Sequence, residues 1–521
     1  MRSLIPLARK QIIVQLYHYH DLRPQPASSL ANMGSVSKDI PGPFNIQNIA
    51  IIGAGPSGLA AAKYLQAQEA FNRIVVLEQQ ANVGGVWNYS ATPSETLHVP
   101  QTSALCPPDP PLKRDGKGGP VFPSPMYERL HTNIPHTLMQ FSDLGFLWKG
   151  QGKEEDEVKI FPTREVVQQY LEEYAISIRE LIRFSTSVDD VQLRVEEGRD
   201  QWDVRSRDLI TGQKRQETYD AVVVATGHYA TTYMPDIPGI REFDAKHRGV
   251  ISHSKLYRTP GLYEGKKVVV VGNAASGLDI ASQILKVCRP PLFVSVREET
   301  PKEIREAIGF DEVAEIENFL VEEKGLQLKD GRVITDVDFV LFCTGYLFSF
   351  PFFESMDPPL VTNGRRVYGL YKQLVHIQHP TLVFPGLPIK AIPFPLSEAQ
   401  AAVYARIWAN ALELPSRETM KEWERKEAER NGPAFHVFPK GADGAYINEM
   451  HDWAMLADGK GKEPPRWDEE ALWQRGIYTQ AKMEFERTGM KATTLVELGF
   501  KYEPAKGEAK PDRNPELEFA G

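Results

Sequence analysis

The chain has 521 residues, 42% hydrophobic and 25% charged, with Lys+Arg 60 against Asp+Glu 69 and a formal net charge of −9. This is the composition of a globular chain with a sizeable core, long enough for two large domains or three ordinary ones. An acidic balance without a strong basic stretch argues against nucleic acid or an anionic membrane as main partner, and no apolar run of about 18 residues offers a spanning helix. Three scattered cysteines, Cys106, Cys288 and Cys343, exclude a disulfide framework, a four-cysteine zinc site and a C-x-x-C redox pair, and suit a reducing, cytoplasmic compartment.

Residues 1–44 read as a disordered extension. Arg2, Arg9 and Lys10 precede the first acid, Asp21, as in a mitochondrial presequence, but serines are few and Met33 could serve as the working start. Mitochondrial targeting by residues 1–32 therefore stays open beside the cytoplasmic reading. Ile46–Ile52 is a short apolar strand running into Gly53-Ala54-Gly55-Pro56-Ser57-Gly58, and a helix follows over about Gly58–Glu69. The next strand, Ile74–Leu77, ends at Glu78; residues 100–125 are a loop rich in Pro, Gly and Lys. Strands are expected at Leu193–Arg207 and Thr218–Ala225, with turn signals at Glu197-Gly198 and Thr211-Gly212.

The opening pattern then repeats. Val268–Val271 is a strand, Gly272-Asn273-Ala274-Ala275-Ser276-Gly277 a loop of small residues, and Leu278–Leu285 the start of a helix; a further strand, Leu292–Val296, ends at Arg297. Each unit is also paired with a strand ending in Thr-Gly, at Thr226-Gly227 and Thr344-Gly345. Farther on, Ser397-Glu398-Ala399-Gln400 has capping-box spacing ahead of an amphipathic stretch to about Leu412. The last residues, 501–521, read as a solvated tail.

The duplicated pattern has a chemical meaning. In the first loop Gly53 permits the tight turn, Gly55 lets backbone approach a pyrophosphate, and Gly58 lets helix and strand pack closely; Pro56 and Ser57 of the same loop are expected cofactor contacts, ahead of a helix whose free N–H groups face the phosphates. Glu78, 20 residues after Gly58, stands where an acid accepts hydrogen bonds from an adenosine ribose. In the second loop Gly272, Ala275, Ser276 and Gly277 keep the pattern, while Ala274 holds the middle glycine position and its methyl is expected to crowd a pyrophosphate. Arg297 replaces the acid, and a cation there would pair with a 2′-phosphate, favouring NADP over NAD. Two dinucleotide sites in one chain imply a flavin and a nicotinamide with hydride passing between them. Without a dithiol, the electrons from the flavin go to a quinone, a metal centre or molecular oxygen.

Between the units, Gly249–Tyr257 (GVISHSKLY) resembles the identifying motif F-x-G-x-x-x-H-S-x-x-Y of flavin-containing monooxygenases, with His247 in place of the leading Phe. Gly84-Gly85-Val86-Trp87 resembles the family's GG-x-W segment, and Tyr127–Asn133 its Y-x-x-L-x-T-N segment. Ala225–Tyr229 and Cys343–Tyr346 resemble its two linker motifs, and Phe394–Gln400 a late segment, so that ordered motifs span residues 45–450. The departures are His247, Ala274, and the lack of a counterpart to the apolar C-terminal segment of mammalian members.

The resemblance implies an α/β fold of two Rossmann-like dinucleotide-binding domains: a flavin domain in two parts (45–227 and 336–460), a smaller NADP domain inserted at 228–335, and a C-terminal extension and tail at 461–521. It implies FAD and NADPH as cofactors and no metal: NADPH reduces FAD, reduced flavin takes up oxygen as a C4a-hydroperoxide, and a soft nucleophile, an amine nitrogen or a thiol or thioether sulfur, takes one oxygen atom. It points to Gly85, Val86, Trp87, Thr132, Thr226, Gly227, Thr344 and Gly345 as cofactor contacts. His253 and Ser254 are assigned to NADP or to the linker. Asn133 is the expected catalytic residue, because a neutral amide hydrogen-bonds the oxygenated flavin without supplying the proton that would release peroxide. A Baeyer–Villiger monooxygenase is the nearest alternative, which Tyr257 disfavours since that motif has Trp there; an NADPH oxidase or a nucleotide-sensing protein is the other. The expected partners are a small nucleophilic molecule and oxygen, with a homo-oligomer left open.

Overall fold

The computed structural model describes residues 41–112, 119–146, 158–457 and 459–504. The readings for residues 1–40 and for the tail from 505 on lie outside these. Two sheets carry the molecule, the first mixed around a parallel centre and the second parallel throughout. β1 (Asn48–Ile52) leads into α1 (Pro56–Gln66) and returns as β2 (Arg73–Leu77); β3 (Ala221–Val224) pairs parallel to the other side of β1. Strands buried on both faces need continuous apolar runs, and Ala-Val-Val-Val of β3 is buried throughout. Short strands at 182–183, 370–371, 375–376 and 382–383 extend this sheet to seven.

The second sheet repeats the design. β4 (Ile251–His253), β5 (Val268–Val271), β6 (Phe293–Ser295), β7 (Asp311–Val313) and β8 (Phe339–Phe342) form a five-stranded, all-parallel sheet in the order β7-β6-β5-β8-β4, with α2 (Ala275–Ile284) following β5. In register β3 stands to β1 as β8 stands to β5: Ile52 lies opposite Val224, and Val271 opposite Phe342. This α/β architecture of two Rossmann-like units matches expectation, with one correction. The expected boundary at 335 assigned β8 to the flavin part, yet β8 sits beside the central strand of the second sheet. Its apolar Phe-Val-Leu-Phe completes that layer, and the crossing back comes after it, at Thr344-Gly345.

Other differences have local causes. The strand read as Thr218–Ala225 is two: Lys214–Tyr219 closes an antiparallel meander with Thr186–Glu196 and Arg199–Asp208, and β3 begins after Asp220. The Asp220 carboxylate accepts the N–H groups of Gln47 and Asn48, both at 2.8 Å, which sets the break. Ser397 is not a helix cap. The helix, α3 (Pro393–Trp408), starts four residues earlier, because Pro393 and Pro395 fit a first turn whose N–H groups have no helical partner. It is not amphipathic either: every residue from Phe394 to Trp408 is buried, as in a helix enclosed on all sides. Its Gln400 and Glu398 are held by Gly386 N–H at 2.8 Å and Ser142 N–H at 2.7 Å.

A helix the sequence did not announce, α4 (Glu469–Arg487), occupies much of the presumed C-terminal extension. Asp468 caps it, accepting Ala471 N–H at 2.9 Å. Phe485 packs on Phe161 and the His131 ring, at 5.1 and 5.9 Å between centroids. Arg475 forms a buried pair with Asp443 at 2.8 Å and reaches the Lys390 carbonyl.

Candidate active site at the junction of the two units

Both glycine loops are built alike, down to the backbone. Gly53 and Gly272 have φ of +103° and +100°. A Cβ on Gly58 would lie 1.9 Å from the Gly53 carbonyl oxygen, and one on Gly277 2.2 Å from that of Gly272, so the third position excludes a side chain in both. The middle position does not. Gly55 has φ −75° and ψ −177°, Ala274 φ −76° and ψ −178°, a conformation open to any residue. Ala274 therefore presents the same backbone as the glycine, with its residue exposed to solvent. Neither α1 nor α2 has a side-chain cap, which leaves first-turn N–H groups for phosphate oxygens.

Around the first loop the chain closes in. Gly84 N–H donates to the Ala54 carbonyl at 2.9 Å, bringing Gly85 so near that a Cβ there would come 3.1 Å from Gly55 Cα. That contact accounts for Gly85; Gly84 has φ +116°, and a Cβ on it would lie 2.2 Å from Gln168 Oε1. Ser57 Oγ meets Ser397 Oγ of α3 at 2.8 Å. Glu78, buried at the end of β2, accepts Ala54 N–H at 2.6 Å and Gln80 N–H at 2.8 Å. Burial pushes its carboxyl up to about 7 despite those two donors.

The second loop is open. Ala274, Ala275 and Ser276 are exposed, and Asn273 ties the loop to the turn beyond β6 through the Glu298 carbonyl and Thr300 Oγ1, each at 2.9 Å. Arg297 stands on that turn with 82% of its side chain exposed, its Nε 3.1 Å from Glu315. The first and second loops thus stand apart, and the remaining candidate residues lie where the chain crosses between them.

The crossings run side by side. Thr231–Thr232, five residues past Thr226-Gly227, pairs antiparallel with Tyr346–Leu347, just past Thr344-Gly345. Tyr233 N–H donates to Gly345 O at 2.9 Å, and Thr344 Oγ1 to Tyr233 O. His253 is fully buried: its Nε2–H donates to Gly345 O at 3.2 Å while its Nδ1 accepts Lys255 N–H at 3.1 Å. Burial pushes it down to about 3, so it is a neutral ring holding the crossing. Ser254 beside it is buried. His247, which replaces an aromatic, donates from Nε2 to Val321 O at 2.8 Å and packs on Phe243, filling that seat with a ring.

The segment carrying Asn133 is pinned. Thr132 N–H donates to Pro162 O at 2.9 Å, Thr132 Oγ1 to Ile134 O at 2.8 Å, and Arg164 N–H to Leu130 O at 3.3 Å. Asn133 itself is exposed and its amide makes no hydrogen bond among the described residues. The segment's first residue, Tyr127, donates to Asp279 on α2 and packs edge-on against Tyr257, whose hydroxyl donates to Gln283 Oε1 at 3.1 Å. So both tyrosines of the two motifs anchor on one helix of the second unit. Sequence reading missed Arg258. Its guanidinium donates to the carbonyls of Ser90 (2.8 Å), Lys255 (2.9 Å), Tyr257 (2.8 Å) and Ser124 (3.0 Å), joining the Trp87 and Asn133 segments to the motif. Its place directly after Tyr257 was the one available signal.

The arrangement is matched among known proteins. A flavin-binding monooxygenase-like family model matches residues 123–302 and 311–463, and an NAD(P)-binding Rossmann-like domain model matches residues 51–114. The chain belongs to the flavin-binding monooxygenase-like family. It is 34% identical over 452 residues to the flavin-containing monooxygenase FMO GS-OX-like 4 of Arabidopsis thaliana, covering 85% of this chain and 94% of that protein. It is 29% identical over 447 residues to the thiol-specific monooxygenase of Saccharomyces cerevisiae, covering 82% and 90%. Among solved structures, S-allyl-L-cysteine S-oxygenase from Allium sativum shares the fold, with a TM-score of 0.68, 24% identity, and coverage of 86% of this chain and 95% of that one. Tmm from Pelagibacter sp. strain HTCC7211 aligns with a TM-score of 0.65 and 26% identity over 84% and 91%.

This monooxygenase therefore uses FAD and NADPH, and the chain fits both. When bound and reduced by NADPH, the flavin activates molecular oxygen and supplies one atom to a nucleophile. The protein offers uncapped helix N-termini at both glycine loops, a buried carboxylate at the end of β2, and a packed crossing whose titratable ring is neutral. Among the described residues no helix is long and apolar enough to cross a membrane.

Proposed function

We propose that this monooxygenase oxygenates a sulfur nucleophile, a thiol or thioether, with FAD on the first glycine loop, NADPH on the second and Asn133 at the reacting edge of the flavin. The observation that carries the sulfur reading is Arg258. Its four partners are carbonyl oxygens, and among the described residues no carboxylate pairs with its positive charge, which stands between the segments that bear Trp87 and Asn133. Arg164 adds a second guanidinium, 3.7 Å over the Tyr89 ring, although Glu165 takes one of its amino groups at 2.6 Å. A protonated amine is repelled from such a place; a thiolate or an uncharged thioether is not. The relative named a thiol-specific monooxygenase supports the same reading.

Asn133 suits its role because its backbone is held while its amide is free. Arg297 suits a 2′-phosphate, since Glu315 binds only its Nε and leaves the outer guanidinium nitrogens available. Three unpaired cysteines fit a reducing, cytoplasmic setting. The test is a product screen by mass spectrometry with a thiol, a thioether and a tertiary amine. The sulfur compounds should give at least tenfold higher kcat/KM, and preference for the amine would refute the reading. Asn133→Ala should leave flavin reduction intact and raise peroxide released per NADPH; unchanged coupling would remove Asn133 from the chemistry. Arg297→Ala should raise KM for NADPH more than for NADH, and equal effects would reduce Arg297 to a surface ion pair.

A further inference from the structure

The loop Ser94–Leu112 belongs to the first unit by sequence, yet three holds fasten it to the connections between the units. Gln101 forms a two-bond antiparallel bridge with Met234, at 3.0 and 2.8 Å, just past the first crossing. Ser349 Oγ, just past the second crossing, donates to Ala104 O at 2.6 Å. Asp109 pairs with Lys255 at 2.7 Å, and its other oxygen accepts Ser94 Oγ at 2.9 Å and Thr96 Oγ1 at 2.8 Å.

Lys255 is the node. Its side chain is 8% exposed and that of Asp109 15%. Its ammonium also donates to Ala230 O on the first crossing. Its backbone N–H fixes the His253 ring, whose other nitrogen holds Gly345 on the second crossing. A cavity of about 30 Å³, room for one water, adjoins the pair and is lined by Thr96, His98, Cys106, Asp109, Thr231 and Lys255. Two charges withdrawn from water are costly to keep there unless their geometry is fixed, and here the carboxylate is held by two further hydrogen bonds and the ammonium by one.

We propose that Asp109 and Lys255 are a positioning pair: the loop is a clasp that sets the angle of the NADPH unit against the flavin unit, and so the approach of the nicotinamide to the flavin. The proposal rests on the two nucleotides occupying the two glycine loops. Hydride transfer needs its partners in near-contact geometry, so a loosened hinge slows transfer more than it weakens binding.

The test is anaerobic stopped-flow reduction of the FAD-loaded enzyme across a range of NADPH concentrations, which separates the limiting rate from Kd. If wild type itself is not reduced by NADPH, the underlying assignment fails and not the clasp. Asp109→Asn and Lys255→Met should each lower the limiting rate at least tenfold with Kd within threefold. Aerobic peroxide per NADPH should rise, and Lys255→Arg should restore more than half the rate. Rates within twofold of wild type in both variants would overturn the proposal. So would an effect on Kd alone, which would move the pair into the nucleotide seat. If neither single variant retains flavin, the uncharged double variant Asp109→Leu/Lys255→Met is measured instead; a wild-type rate there, or loss of flavin again, assigns the pair to folding and overturns the positioning role.

Discussion

Glu78 offers the sharpest quantitative check on the first nucleotide seat. Its carboxyl is buried, and burial outweighs the N–H groups of Gln80 and Ala54, holding it at about 7 against an ordinary 4.5. The sign follows directly. An acid whose value is raised on folding favours the protonated native state, so the flavin-free protein loses stability as pH rises from about 4.5 to about 7 and changes little above. The full effect is about 3 kcal/mol, most of which falls between pH 5 and pH 8. Glu78→Gln removes the titration while keeping an acceptor for Ala54 N–H. Urea unfolding of flavin-free wild type and variant at pH 5, 6, 7 and 8 should show the wild type losing ground by about 2–3 kcal/mol across that range. FAD binding supplies ribose donors that favour the carboxylate, so its Kd should rise on acidification from pH 7 to 5 in wild type and stay flat in the variant. A stability difference that does not change with pH would refute both the burial argument and the ribose assignment.

Two further perturbations test other levels of the structure. Gly277→Ala places a Cβ 2.2 Å from the backbone oxygen of Gly272, so the second loop must open. The KM for NADPH should rise at least tenfold with flavin content unchanged, as read from initial rates and flavin absorbance; an unchanged KM would show that this loop holds no nucleotide. Asp443→Asn leaves Arg475 charged and 6% exposed without its carboxylate. Breaking a buried pair on one side costs about 3–5 kcal/mol, measurable by denaturant unfolding, and a loss under about 1 kcal/mol would mean that α4 is docked by its apolar contacts alone.

Much of this was legible because the two nucleotide seats repeat a pattern with a strong local cause. A glycine loop between an uninterrupted apolar strand and a helix start reads as itself wherever it occurs, and the two Thr-Gly endings marked the strands that complete each sheet. What stayed hidden lacks periodicity. The crossing ribbon is two residues on each side, too short for a strand signal. The polar helix α4 buries only Arg475, Ala481 and Phe485, so no apolar stripe announces it. Asp109 lies in a Pro-rich loop, and nothing in its neighbourhood ties it to Lys255, 146 positions later. Ser397 misled because a serine four residues into a helix mimics a cap when prolines precede it.

The two seats share a backbone but differ in their surroundings, and the difference separates a resident cofactor from an exchanging one. The first loop is roofed by the Gly84–Trp87 turn and by α3, with Ala54 and Gly55 buried and Ser57 bonded to Ser397. A dinucleotide there is enclosed between backbone and helix, and leaves only if those contacts part. The second loop carries no such roof: Ala274 to Ser276 face solvent, and the charge beyond β6 is an exposed arginine on a turn. A nucleotide there rests on helix N–H groups and surface charge, both weakened by water and salt. On the assignment of FAD to the first seat and NADPH to the second, the same fold thus retains the group that carries the chemistry and releases the one that must be replaced each turnover. The middle position itself does not set the two apart on the protein side: a Cβ on Gly55 would meet Gly85 Cα at 3.5 Å, an ordinary contact, and Ala274 faces solvent.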